Sequence, residues 1–185
     1  MKIRPGDVLI SEPFLPDPNF ARSVVLVVEH NAEGTVGFVV NHLLGMALSD
    51  VVPLQTKNPL LDIPMLSGGP VGTDTLHVLH QLGDHVPGSK YVANHIYWGG
   101  DFDQIQLLLL NQNANYKDFR FMVGYSGWAP GQLEQELEQN SWIVLKGKGG
   151  LIFETELEDL WQTLLEVKGG KYKLLKNSPN RPDLN

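Results

Sequence analysis

An α+β fold is predicted for this chain: a single compact domain with a mainly antiparallel sheet, curling towards a barrel, and about three longer helices. Two observations carry the prediction. Short apolar stretches of strand character recur between residues 7 and 153, and helical periodicity interrupts them after Asp101, Pro130 and Thr155. The regular strand–helix–strand alternation of a doubly wound parallel sheet is missing. At 185 residues the chain is long enough for one domain that hides roughly 70% of its unfolded surface, and no repeat or linker divides it. The domain is expected over residues 1–176, with 177–185 as an extended C-terminal tail.

Residues 7–10 read as a short strand, and the three prolines in residues 12–19 make the next stretch a stiff loop. Residues 23–30 are almost continuously Val and Leu, which suits a central strand covered on both faces. Asn31, Ala32, Glu33 and Gly34 then turn the chain into a second strand over 35–41. If His30 pairs with Thr35, Val24 lies opposite Asn41, and the polar residues separate to two ends of the hairpin. Arg22, Ser23, Asn41 and His42 take one end. Glu29 and His30 take the other, about 20 Å away at roughly 3.3 Å per residue, too far to join one constellation.

Residues 48–52 can form a helical turn, residues 56–64 are loop-like, and 75–82 read as a strand with Leu76 and Val78 on one face and His77 and Leu79 on the other. Residues 91–98 read as one strand ended by Gly99 and Gly100. Asp101 and Gln104 have capping-box spacing for a helix through Leu110. Residues 119–125 alternate as a half-buried strand, which Ser126 and Gly127 end.

Pro130 suits the first helical position, placing the cap at Trp128 or Ala129, neither of which carries a side-chain oxygen. The free amides there need a side chain from elsewhere, ordered water or a bound anion. Leu133 and Leu137 share the apolar face of this helix, Glu134, Glu136 and Glu138 its wet face, and Asn140 and Ser141 stop it. Residues 142–145 and 151–153 read as a hairpin. Thr155 and Glu158 cap a last helix that Gly169 ends, with Leu157, Leu160, Trp161, Leu164 and Leu165 facing inwards.

Composition narrows the function. A net charge of -7 argues against general nucleic-acid binding, since neutralising phosphates needs clustered Lys and Arg. The absence of cysteine excludes disulfides, thiolate zinc sites and cysteine nucleophiles. The longest apolar runs are far too short for a bilayer, and the first seven residues lack the apolar core of a secretory signal, so the expected compartment is the cytoplasm.

The motifs with chemical overtones are incomplete. Gly124-Tyr125-Ser126-Gly127 misses the hydrolase elbow, because the position two after the serine is Trp128. Gly68-Gly69-Pro70-Val71-Gly72 lacks both the P-loop ending and the dinucleotide spacing, so tight turns explain its glycines. His77 and His80 fall on opposite faces of a strand, which disfavours a metal pair. The ligand-binding candidates are therefore Arg22, Ser23, Asn41, Gly68, Gly69, Ser126, Gly131 and Gln132. No residue is assigned catalysis, and no metal or cofactor is expected.

Phe20-x-Arg22-Ser23-Val24-Val25, Glu29-His30, Gly37-x-x-x-Asn41, Gly68-Gly69-Pro70-Val71, the run from Gly124 to Glu134 and the closing Pro179-x-x-x-Asp183-Leu184-Asn185 together resemble the YqgE/AlgH family. The resemblance covers most of the chain in order. It implies a bacterial protein of compact α+β fold, carrying by name the role of transcriptional regulator. The residues do not supply that role: a DNA-reading helix presents Arg, Lys, Asn or Gln within a basic field, and the helix after Pro130 presents three glutamates. The first expectation is thus a cytosolic regulatory or interaction protein with an unknown protein partner, no membrane and no direct nucleic-acid contact. The second is a small-anion or nucleotide-binding protein, a hydrolase included, built on the Gly68-Gly69 and Ser126–Gln132 turns.

Overall fold

The computed structural model describes residues 2–52 and 63–178. The loop expected over 56–64 lies mostly outside these residues, as does the tail beyond 178. In chain order the strands are β1 (Val8–Ser11), β2 (Val24–Asn31), β3 (Gly34–Val39), β4 (Leu43–Ala47), β5 (Pro64–Ser67), β6 (Val71–His80), β7 (Ser89–Ala93), β8 (Ile96–Gly99), β9 (Phe119–Trp128) and β10 (Trp142–Leu145). The helices are α1 (Leu48–Val51), α2 (Phe102–Leu110), α3 (Gln132–Glu138), α4 (Leu151–Glu154), α5 (Leu160–Lys168) and α6 (Tyr172–Leu175), of which α2, α3 and α5 are the three longer ones.

The α+β prediction holds. The ten strands form one sheet in the order β10-β1-β2-β3-β9-β6-β8-β7, with β4 and β5 paired beside this path. All pairings are antiparallel except that of β5 with β9. β9 is the hub, bonded to β3, β5 and β6. The sheet curls without closing its ladder. The β7–β8 hairpin returns over the other end of the sheet, where Asn94 Nδ2 donates to Gly147 O at 3.0 Å, Lys90 pairs with Glu29, and Ala93 packs on Gly6.

Curling gives three apolar clusters. The largest lies inside the curl, where Val24, Leu26, Phe38, Leu79 and Met122 meet Leu160, Trp161, Leu164 and Leu165 of α5. On the outer surface α2 sets Ile105, Leu108 and Leu109 against Val78, Phe119 and Phe121. A third cluster packs Leu133 of α3 against Val25, Val39, Trp128 and Trp142. Sequence periodicity agrees with this layering at α2, where Asp101 caps Gln104 N at 3.1 Å, and at α5, where Gly169 ends the helix at φ 74°.

Elsewhere the structure departs from the expected elements. Residues 91–98 are two strands, because Asn94 and His95 both adopt positive φ (48° and 61°) and make a two-residue turn without the usual glycine. Ser126 and Gly127 continue β9, and the break falls earlier, at Gly124 (φ 71°), where the register with β6 shifts. Residues 151–154 are helical, so β10 pairs with β1 instead of forming a hairpin. α5 begins at Leu160, later than the Thr155 cap predicts. Leu43–Ala47, which the sequence reading leaves unassigned, is β4. His30 does pair with Thr35, but a bulge between Val27 and Glu29 moves the register so that Val25 faces Val39. Among the described residues no helix is long and apolar enough to cross a membrane.

Candidate functional site

Arg22, Ser23, Asn41 and His42 do gather at one end of the β2–β3 hairpin. Asn41 Oδ1 accepts from Val24 N at 2.8 Å and its Nδ2 donates to Arg22 O at 2.8 Å. The amide side chain thus replaces a rung of backbone ladder just beyond β3. Arg22 has φ 50°, and its guanidinium lies 5.0 Å from the Trp161 ring centroid and donates to Ser178 O, which ties the chain's last described residue to the β1–β2 connection.

Ser23 is fully buried, its N–H on Ser11 Oγ at 2.8 Å and its own Oγ 3.3 Å from His42 Nε2. The same Nε2 lies 3.1 Å from Ala21 O. A carbonyl only accepts, so Nε2 carries the proton and has no lone pair with which to act as base on Ser23. Burial also holds the His42 pKa below its ordinary value, against the pull of the Ala21 and Arg22 carbonyls. The pair is a hydrogen-bonded contact at the edge of the core and does not activate a nucleophile.

The two glycine-containing motifs meet beside this group. Val39 N donates to Gly68 O at 2.8 Å, Gly68 N donates to Val123 O at 2.8 Å, and Ser126 Oγ donates to Gly68 O at 3.2 Å. Ser126 is fully buried. The contact is backbone on backbone: a Cβ on Gly68 would stand 2.3 Å from Gly124 O, and one on Gly69 (φ 147°) 2.3 Å from Tyr125 O. Close approach of two chains is what these glycines allow. His42, Ser67, Gly69 and Thr73 border a depression of about 320 Å³ on the solvent side.

Gly131 and Gln132 stand elsewhere. Trp128 pairs with Thr35, six residues from Asn41 along the strand direction, so the turn that follows is about 20 Å from the Arg22 group. Six of the eight candidates therefore adjoin one another and two do not. The helix cap is Gly131, not Trp128 or Ala129. Pro130 and Gly131 (φ 79°, ψ -9°) occupy the centre of a type II turn closed by Gln132 N on Ala129 O at 3.0 Å, while Gln132 Oε1 accepts from Ala129 N at 3.0 Å. These intrachain bonds take up the Ala129 and Gln132 amides, for which a bound anion was one of the expected partners.

Two residues escape the sequence reading. Glu136, placed with the wet glutamates, accepts the indole N–H of Trp128 at 2.9 Å and of Trp142 at 2.7 Å on Oε2, and Gln132 Nε2 at 3.0 Å on Oε1. Arg120, alternating with buried phenylalanines, is expected in solvent, yet α4 covers it and its guanidinium sits 5.1 Å from the Phe153 ring centroid. Neither had a signal in spacing, because both depend on which element folds back over them. His77 and His80 do fall on opposite faces, one against Phe38 and the other against Phe119. Among the described residues no three His, Asp or Glu side chains form a metal cluster.

The AlgH-like family model matches residues 8–173 of this chain. A UPF0301 protein of Chlorobium limicola is 37% identical over 184 residues, covering 100% of this chain and 97% of the relative. UPF0301 protein BF2109 of Bacteroides fragilis is 41% identical over 180 residues, covering 97% and 90%. The solution structure of the AlgH protein from Pseudomonas aeruginosa superposes with a TM-score of 0.73 at 28% identity over 97% of this chain and 98% of that one. The crystal structure of protein DIP2367 from Corynebacterium diphtheriae shares the fold, with a TM-score of 0.74 at 22% identity over 96% and 93%.

Proposed function

Because this chain belongs to the AlgH-like family, we propose that its work is regulatory contact with a protein partner in the cytoplasm, without chemistry at its serines and without reading DNA. One observation carries the reading. Among the described residues β4 is paired along one edge only, with β5, and Leu43 (51%), Leu44 (39%) and Met46 (41%) are exposed along its length. Isolated exposed apolar residues are ordinary, but three along one sheet edge offer a partner both apolar side chains and unpaired backbone groups.

Electrostatics supports the exclusion of DNA: the net charge is -7, and α3 carries Glu134, Glu136 and Glu138. A transcriptional effect would then be indirect. The test is affinity capture from a bacterial lysate with wild type and a Leu43→Asp/Met46→Lys variant whose circular dichroism is unchanged, followed by identification of what is retained. Loss of the same protein from the variant supports the reading. Equal capture by both, or saturable turnover of an ester or phosphate panel by the wild type, defeats it.

A further inference from the structure

Among the described residues Arg120 is held by neutral carbonyls and by no ion pair. A guanidinium has five N–H donors, and three interactions are made here: Nη1 with Lys117 O at 3.1 Å and Phe119 O at 2.8 Å, and Nη2 with Ile152 O at 2.9 Å. All three acceptors are neutral carbonyls. Nε is shielded from solvent and has no partner among the described residues, and the ion pairs among those residues do not include Arg120. The carboxylate acting on it from a distance is Glu156, which is paired with Lys117 at 3.5 Å. The enclosed Nε cannot reach a ligand, which leaves the second N–H of Nη2, beyond its bond to Ile152 O, as the free donor of the guanidinium among the described residues.

The cavity is there. Arg120, Lys117 and Tyr116 border a cleft of about 490 Å³ whose apolar wall includes Leu66, Phe153 and Leu157. That volume lies in the range of small-molecule sites, with an apolar body and few polar groups. Two glutamates, Glu154 and Glu156, share the rim with the two cations, so a single negative charge is tolerated better than two.

We infer that this cleft binds a small monocarboxylate with an apolar body, the carboxylate against Arg120 and the body against Phe153 and Leu157. No residue of β4 borders the cleft, so the inference is independent of the protein-contact reading.

The probe is hexanoate, titrated into the full-length protein while the Arg120 Nε–H resonance is followed by ¹H–¹⁵N NMR. Hexanamide, of the same shape without the charge, and inorganic phosphate serve as comparisons. The expected result is a saturable shift of the Arg120 resonance by hexanoate, with hexanamide and phosphate each weaker by about tenfold or more. Arg120→Gln should abolish the charge preference. If that variant fails to fold, the hexanoate–hexanamide comparison on the wild type decides alone. Equal binding of hexanamide, tighter binding of phosphate, or a shift that stays linear in hexanoate and is matched by chloride would each overturn the inference.

Discussion

Replacing Glu136 with alanine should destabilise the protein more than any other change on the exposed side of α3. One carboxylate oxygen receives two indole N–H groups, from Trp128 at 2.9 Å and Trp142 at 2.7 Å, and both tryptophans are 5% exposed. The rings stand 5.9 Å apart, with Phe20 packed on each, so neither indole can turn to another acceptor without disturbing the cluster. A hydrogen bond to a charged group contributes about 1.5–3 kcal/mol, and two set an upper bound near 6 kcal/mol. Glu136 is only half-buried, so water partly replaces it, and the expected loss is about 2–4 kcal/mol. For a domain of this size a loss near 3 kcal/mol lowers the Tm by roughly 6–12 °C. Glu136→Gln, which keeps an acceptor oxygen and loses the charge, should cost about 1 kcal/mol. Urea unfolding followed by tryptophan emission measures the difference, with Glu138→Ala as a control expected to stay within about 0.5 kcal/mol of wild type. Were Glu136→Ala to match that control, the tryptophan–carboxylate clamp would carry no energy and α3 would be held by Leu133 and Leu137 alone.

Other expectations follow from the same geometry. Asn41→Leu strands Val24 N and Arg22 O and should cost about 2–3 kcal/mol in urea unfolding, whereas Asn41→Asp keeps the acceptor and should cost less. Gly69→Ala drives a Cβ to 2.3 Å from Tyr125 O and should reduce the yield of folded protein or lower stability by about 3 kcal/mol or more, while Gly131→Ala, with open space around it and φ 79°, should cost only about 1–2 kcal/mol. Burial lowers the pKa values of His42, His77 and His80 in the folded protein. The unfolded chain therefore binds these protons first as pH falls through about 6.5, and stability should decline below that point, with no contribution from these groups above it. The urea midpoint measured from pH 7.5 to pH 5 should fall, and it should fall less steeply in His77→Phe.

Much of the fold was legible because local rules and burial agree. The Val-rich run of β2, the Asp101 cap of α2 and the Gly169 stop of α5 each have a physical cause contained within a few residues. The gathering of Arg22, Ser23, Asn41 and His42 was legible for the same reason, since hairpin pairing alone brings them together, and the one-residue bulge in β2 altered the register without separating them. What failed depended on the rest of the chain. Asn94-His95 turns because β7 and β8 both have partners to gain, not because the dipeptide prefers it. Residues 151–154 look like a strand, yet they fold as a short helix while β10 takes its partner from β1, far back in the chain. Glu136 and Arg120 escaped because periodicity reports the face of an element, whereas Glu136 meets indoles of the strands on either side of its helix and Arg120 lies under α4. The glycine–serine motifs, read from the sequence as turns and not as reactive machinery, make a close contact between two backbones.

The most direct test of that scaffold role is exposure of the native protein to a fluorophosphonate, which labels activated serine hydroxyls, followed by intact mass. With Ser126 sealed against Gly68 O and Ser23 facing the protonated Nε2 of His42, which has no lone pair to offer, the mass should remain that of the unmodified chain after prolonged incubation. A one-to-one adduct that maps to Ser23 or Ser126, and disappears in the matching alanine variant, would show an activated nucleophile and contradict the scaffold role outright.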